Sequence, residues 1–166
     1  MNMAAPSWYN RALGYVGTKE TPGSASNPVI VDFWKLAKLA GIKDDATPWC
    51  AGFVNAMLER SLIRGTRSAA ARSFERWGTG LHEPALGCVV VLSRPPSSWQ
   101  GHVGFYAGET ETQVRILGGN QGDSVSFALF NKSRVLGYRW PIEVDLPRTG
   151  KIILNSTGTE PEPSDR

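Results

Sequence analysis

Cysteine and histidine are scarce in this chain, with two of each in 166 residues. Cys50 and Cys88 are too few for a disulfide framework, and a chain made in a reducing cytoplasm keeps such residues as thiols. No CxxC pair and no HExxH occurs, and His82 and His102 alone give a zinc site little to draw on. The expectation is therefore no metal and no cofactor. Long hydrophobic runs are missing too. No stretch approaches the roughly 18 apolar residues of a membrane span, so none is expected. The opening residues, MNMAAPSWYNRALGYVG, lack the basic start and apolar run of a secretory signal. That absence leads us to expect a protein made in the cytoplasm without a signal peptide. Charge of one sign is not clustered either. A net charge of +3 would favour an anionic polymer, nucleic acid or an acidic cell wall among them. The lysines and arginines are scattered, however, and read as solvated surface, so no nucleic-acid partner is expected.

What is present suits one domain. A hydrophobic fraction of 41% over this length supports a core without staples. The first half reads as helices. SWYNRALGYVG (7–17) has apolar residues at helical spacing and stops at Gly17. NPVIVDFWKLAKLAG (27–41) has Asn27 as cap, Pro28 at the first helical position and Gly41 as stop. Its Val29, Phe33, Leu36, Ala37 and Ala40 share a face. PWCAGFVNAMLERSL (48–62) repeats that opening, with Thr47 as cap and Pro48 first, and a short helix fits SAAARSFERWG (68–78). After Pro84 the period changes to two. Strand-like runs follow at 88–93, 102–108, 112–119, 124–130 and 134–140, split by Gly, Pro, Ser and Asn turns. Helices followed by strands predict an α+β fold with an antiparallel sheet. One domain is expected over 1–154, then a disordered tail over 155–166, which has little apolar surface to bury.

Three positions carry candidate chemistry. Cys50 taken alone reads as a packed thiol, since free cysteine is among the most buried residue types. Its place at the mouth of a helix adds a second reading. Unpaired N–H groups and the positive dipole end there stabilise an anion, and a nearby imidazole raises the thiolate fraction further. His102 opens a strand between Gly101 and Gly104, which leave room for backbone or substrate to come close; a surface histidine is the alternative. His82 lies in a loop and reads as surface. Asn120, in ILGGNQGDS, is a turn former by default. Cys, then His, then Asn is a known chain order for a thiol triad, and three coincidences are harder to accept than one. Asp45 and Trp49 flank the nucleophile and are candidates to line a substrate groove, with core packing the equal alternative for Trp49.

DDATPWCAGFVNAMLE, TRSAAARSFERWG, GCVVVLSR, GHVGFYAG, ILGGNQGDSVS and LGYRWP, taken together, resemble CHAP-type cysteine, histidine-dependent amidohydrolases/peptidases, close to the branch related to NlpC-like cell-wall peptidases. The likeness runs from about Tyr15 to Pro141. It implies a papain-like fold, with N-terminal helices on a sheet of five to six antiparallel strands. It further implies a cysteine-dependent peptidoglycan hydrolase, amidase or endopeptidase, in an endolysin or a secreted lytic effector. Cys50 matches the nucleophile, His102 the base and Asn120 the polar third member. The implied partner is bacterial peptidoglycan, met by a monomer after release or dedicated export, with an immunity or holin-type protein as companion.

Two positions depart from the family. CHAP enzymes often carry Glu two residues before the Asn, where Gly118 stands here; relatives often carry an acidic residue where this chain has Cys88. Cys88 reads as a buried structural thiol, because VVVL follows it. Alternation along a strand would turn Asn120 toward His102 and Gln121 away from it, toward substrate or the turn. The alternatives are a wall-binding module without chemistry, and a thiol deamidase or protease acting on proteins.

Overall fold

Asn27 begins the clearest helix in the chain: its side chain accepts a hydrogen bond from the Val29 N–H at 2.9 Å, ahead of Pro28 at the first helical position. The computed structural model describes residues 4–155 and 161–163. Within them the fold is α+β. Helices α1 (Ser7–Leu13), α2 (Pro28–Leu36) and α3 (Cys50–Arg60) come first, then a 3-10 helix at Ala71–Arg76. Six strands follow: β1 (Thr79–Leu81), β2 (Val89–Arg94), β3 (Ser97–Glu109), β4 (Gln113–Gln121), β5 (Ser124–Asn131) and β6 (Val135–Trp140). They form one antiparallel sheet in the order β1-β6-β2-β3-β4-β5. No helix among the described residues is long and apolar enough to cross a membrane.

Several element boundaries differ from the sequence expectation, and those of α2 and α3 have a clear local reason. α2 stops at Leu36, well before Gly41, because Lys38 turns left-handed (φ 66°) and the Leu39 N–H closes back on the Trp34 carbonyl at 2.7 Å. α3 starts at Cys50, not at Pro48. The Asp44 carboxylate takes the Thr47 N–H at 2.7 Å into a separate turn, so the helical ladder begins with Phe53 N–H to the Trp49 carbonyl. That same bond to the Thr47 backbone holds the Asp44 carboxyl below its ordinary range. β1, which the sequence reading did not include, is only Thr79–Leu81, too short to carry a periodic signal.

α3 is the centre of the packing. Every residue from Cys50 to Leu58 is buried, as expected of a helix covered on both sides. α1 and α2 lie against it on one side, and β3 and β4 on the other. Phe53 anchors it, with ring centroids 5.2 Å from Phe33 and 6.4 Å from Phe105 in edge-to-face contacts. The sheet permits this approach through Gly119 on β4, where a Cβ would lie 2.6 Å from the Trp49 ring and 2.8 Å from the Phe53 Cβ. Gly104 serves sheet packing too, since a Cβ there would meet the Ile116 side chain at 2.2 Å. Gly101 would meet the Leu92 carbonyl at 2.5 Å and the Arg72 side chain at 2.7 Å. Both glycines flanking His102 thus admit protein neighbours.

At the chain's end, the Glu109 N–H reaches the Ile152 carbonyl and the Leu154 N–H reaches the Glu109 carbonyl, both at 2.8 Å. Of the tail expected over 155–166, residues 156–160 and 164–166 lie outside the described residues. In the described part, Glu162 accepts from Asn131 Nδ2 at 2.9 Å and from Arg134 Nη1 at 2.6 Å.

Asn55 is the polar exception in α3, and it is fully buried. Its amide donates to the carbonyls of Ala51 (3.0 Å) and Ser68 (3.2 Å), while its oxygen accepts the Arg67 N–H at 3.1 Å. One side chain thereby fastens the 66–68 loop to the helix. Replacing it by Ala removes the partner of part-buried loop backbone groups and empties a buried site, so Asn55→Ala should lose about 1–3 kcal/mol of stability. Urea denaturation of the two proteins checks this, and equal midpoints would refute it.

Candidate active site

Cys50 is the first residue of α3 and is 6% exposed. The residues before it set its position. Trp49 is fully buried, tilted against Phe33, and its indole N–H donates to Glu20 Oε1 at 2.8 Å. It was one of the side chains considered for a groove; the structure puts it in the core, since an indole wedged on Gly119 has no face left for a ligand. Asp45 was expected beside substrate as well. Its Oδ2 instead accepts the backbone N–H groups of Thr21 (2.7 Å) and Asn27 (2.8 Å), a 3% exposed carboxylate that ties the loop before α2 to the loop before α3.

His102 sits on β3, paired with Leu92 of β2, and its ring lies 5.0 Å from Phe130. Its Nε2 is 2.9 Å from Gln121 Oε1. The roles at this contact follow from the other end of the amide. Gln121 Nε2 lies 2.7 Å from the Ser126 carbonyl and 3.3 Å from the Ile116 carbonyl. Carbonyls only accept, so the NH2 group must face them and the amide oxygen must face the imidazole. The oxygen in turn needs a donor, so Nε2 carries the proton of the neutral ring. Nδ1 is then the basic nitrogen.

Gln121 is thus the residue bonded to this His102 nitrogen, where strand alternation would have turned it away. Period two does not survive this stretch. Asn120 is left-handed (φ 58°), and the β4–β5 register shifts between Gly118 and Gln121. The irregularity changes the phase, and Gln121, 2% exposed, turns in behind the imidazole. Gly118 leaves the space, because a Cβ there would lie 2.5 Å from the Gln121 amide oxygen. Gln121 is therefore held away from any groove. Asn120 instead lines a cleft of about 330 Å³ together with Cys50 and His102.

The cleft lies between the start of α3 and the β2–β3 hairpin. Thr47, Pro48, Ala69–Ala71 and Arg94 line it, with the exposed Trp99 at its rim. Cys88 is on the buried face of the sheet, away from this cleft, and burial pushes its thiol up to about 12. His82 is exposed in its loop. Among the described residues no group of three or more His, Cys, Asp or Glu is arranged to hold a metal ion. The arrangement suits nucleophilic chemistry: a thiol at a helix N-terminus and an imidazole whose tautomer is fixed share one cleft. No protein-family model matches the chain, and comparison with curated proteins finds no match.

Sequence reasoning missed Gln121 as the imidazole's partner, as well as Trp99 and the loop-fastening Asn55. The run GGNQG held a signal for the first. Three glycines around two amides mark a place where a strand can break phase.

Two measurements follow from this geometry. Nitrogen-15 NMR should find the neutral His102 protonated at Nε2 in the native chain and a mixture of tautomers in Gln121→Ala; an unchanged ring would remove Gln121 from the orienting role. Iodoacetamide should label Cys50 in the native protein and Cys88 only after unfolding, because a thiol at about 12 offers almost no thiolate near neutral pH. Equal labelling of both in the folded state would contradict the burial argument.

Proposed function

We propose that this protein is a cysteine-dependent hydrolase of amide bonds in bacterial peptidoglycan, built on a papain-like arrangement of helix and sheet. The observation that carries the reading is the shared cleft: Cys50 at the first position of α3 and His102 on β3, with the far imidazole nitrogen held by Gln121. The cell-wall substrate rests on the resemblance of the motifs around these residues.

In this mechanism His102 Nδ1 takes the proton of the Cys50 thiol, and Sγ attacks the carbonyl carbon of the scissile amide. The tetrahedral oxyanion is received by N–H groups in the first turn of α3, which lie outside the intrahelical ladder. His102 then returns the proton to the leaving amine, and water releases the acyl group from the thioester by the same general base. Gln121 stabilises the imidazolium through its amide oxygen and keeps the ring in the productive orientation. Asn120 lines the same cleft, beside the reacting groups. The chemistry needs the thiolate, so oxidants should suppress it and reductant restore it.

Purified cell walls provide the test. The native protein should release new amino groups or free amino sugars, Cys50→Ala should release none, and Cys88→Ala should act nearly as the native chain. Gln121→Ala should lower turnover by about one to three decades. Digestion by Cys50→Ala would overturn the assignment of the nucleophile. A native chain that leaves walls intact yet releases ammonia or peptides from protein substrates would favour a thiol deamidase or protease instead.

A further inference from the structure

The chain has six tryptophans, and five of them donate their indole N–H within the protein. Trp8 donates to the Gly87 carbonyl, Trp34 to Asp44, Trp49 to Glu20, Trp77 to Arg64 and Trp140 to Asp145. Trp99 is the exception. Its ring is 74% exposed, and among the described residues none accepts from its indole nitrogen. It stands at the rim of the cleft that holds Cys50 and His102. Leaving an indole in water forfeits a large burial gain, and a buried tryptophan elsewhere in this chain always finds an acceptor.

The hairpin that carries Trp99 is fixed in place. Arg72 Nη1 donates to the Ser98 carbonyl at 2.6 Å while its guanidinium also pairs with Glu75. Ser97 Oγ accepts the N–H groups of Trp99 (3.3 Å) and Gln100 (3.0 Å), closing the turn on itself. The ring is thus presented on a braced support, which lowers the ordering cost of binding. Ala69, Ala70 and Ala71 line the same cleft, small and apolar, and among the described residues no carboxylate lines it.

We infer that Trp99 is the platform for a sugar ring next to the scissile bond, so that the amide cleaved is the one joining glycan to peptide rather than one within the peptide. This inference rests on the peptidoglycan reading above. A pyranose offers a face of C–H bonds to the indole, and hydroxyl and acetamido oxygens at its edge for the N–H. An apolar peptide side chain would use the face alone and a peptide carbonyl the N–H alone, whereas one sugar ring uses both.

The test uses Cys50→Ala, so that ligand stays intact, with the Trp99 indole ¹⁵N–H resonance identified through Trp99→Phe. N-Acetylmuramoyl-L-alanyl-D-isoglutamine should shift that resonance, the sugar-free dipeptide should not, and Trp99→Ala should weaken binding of the muramoyl compound about tenfold. In the catalytically intact chain, Trp99→Ala should lower kcat/KM for muramoyl peptides by the same factor and leave the rate of Cys50 alkylation unchanged. An indole resonance indifferent to the muramoyl compound, or equally sensitive to the dipeptide, would overturn the inference; the second result would make Trp99 a peptide platform. Wall digestion by the native chain decides the parent reading separately. Intact walls together with a shifted indole would end that reading and with it the assignment of the bond, leaving Trp99 a sugar-binding residue only.

Discussion

The first turn of α3 rests on the sheet with nothing between it and the β4 backbone, and the geometry of the cleft depends on that contact. Trp49 and Phe53 occupy the space where Gly119 has no side chain. One methyl group there would push the helix N-terminus outward and carry Cys50 with it. Because side chains in a packed interior give way by only fractions of an ångström, the separation of thiol and imidazole is set by the core and not by the surface. The nucleophile is therefore positioned by residues that do not line its cleft: Trp49, Glu20 on the indole, and Phe33 packed against it.

A second constraint acts from the sheet side. His102 has two nitrogens, and Gln121 holds one of them, Nε2. The commitment reaches further back, because Gln121 is itself oriented by the Ser126 and Ile116 carbonyls of the sheet. A chain of three hydrogen-bonded groups thus converts backbone geometry into a protonation pattern on one ring. The cost is a break in the strand, visible in the left-handed Asn120 and the register shift beside it. Asn tolerates that conformation better than most residues do, which explains its presence at the break as well as any role toward substrate does.

Much of this was legible in the residues. The switch of hydrophobic period near Pro84 marked helices before strands, and the Asn27–Pro28 pair marked the start of α2. Cys50, His102 and Asn120 were found from chain order and do meet at one cleft. What escaped was non-local or irregular. Asp45 and Trp49 were read by their nearness in sequence to Cys50, yet distant backbone N–H groups and an aromatic cluster claim them. Gln121 was misread because alternation was extended through a stretch where the strand is bulged. β1 is too short to carry any periodic signal, and the helix expected over 68–78 contracts to the 3-10 segment Ala71–Arg76.

The six indoles also divide the molecule optically. Four are buried and a fifth is partly covered, each held by an internal acceptor in surroundings that do not relax quickly around an excited dipole. Trp99 alone looks mainly onto water. Its emission should lie to the red of the others and be the first quenched by a dissolved anion or by acrylamide. The mouth of the cleft therefore carries a native fluorophore that can report, without any attached label, when that mouth is covered.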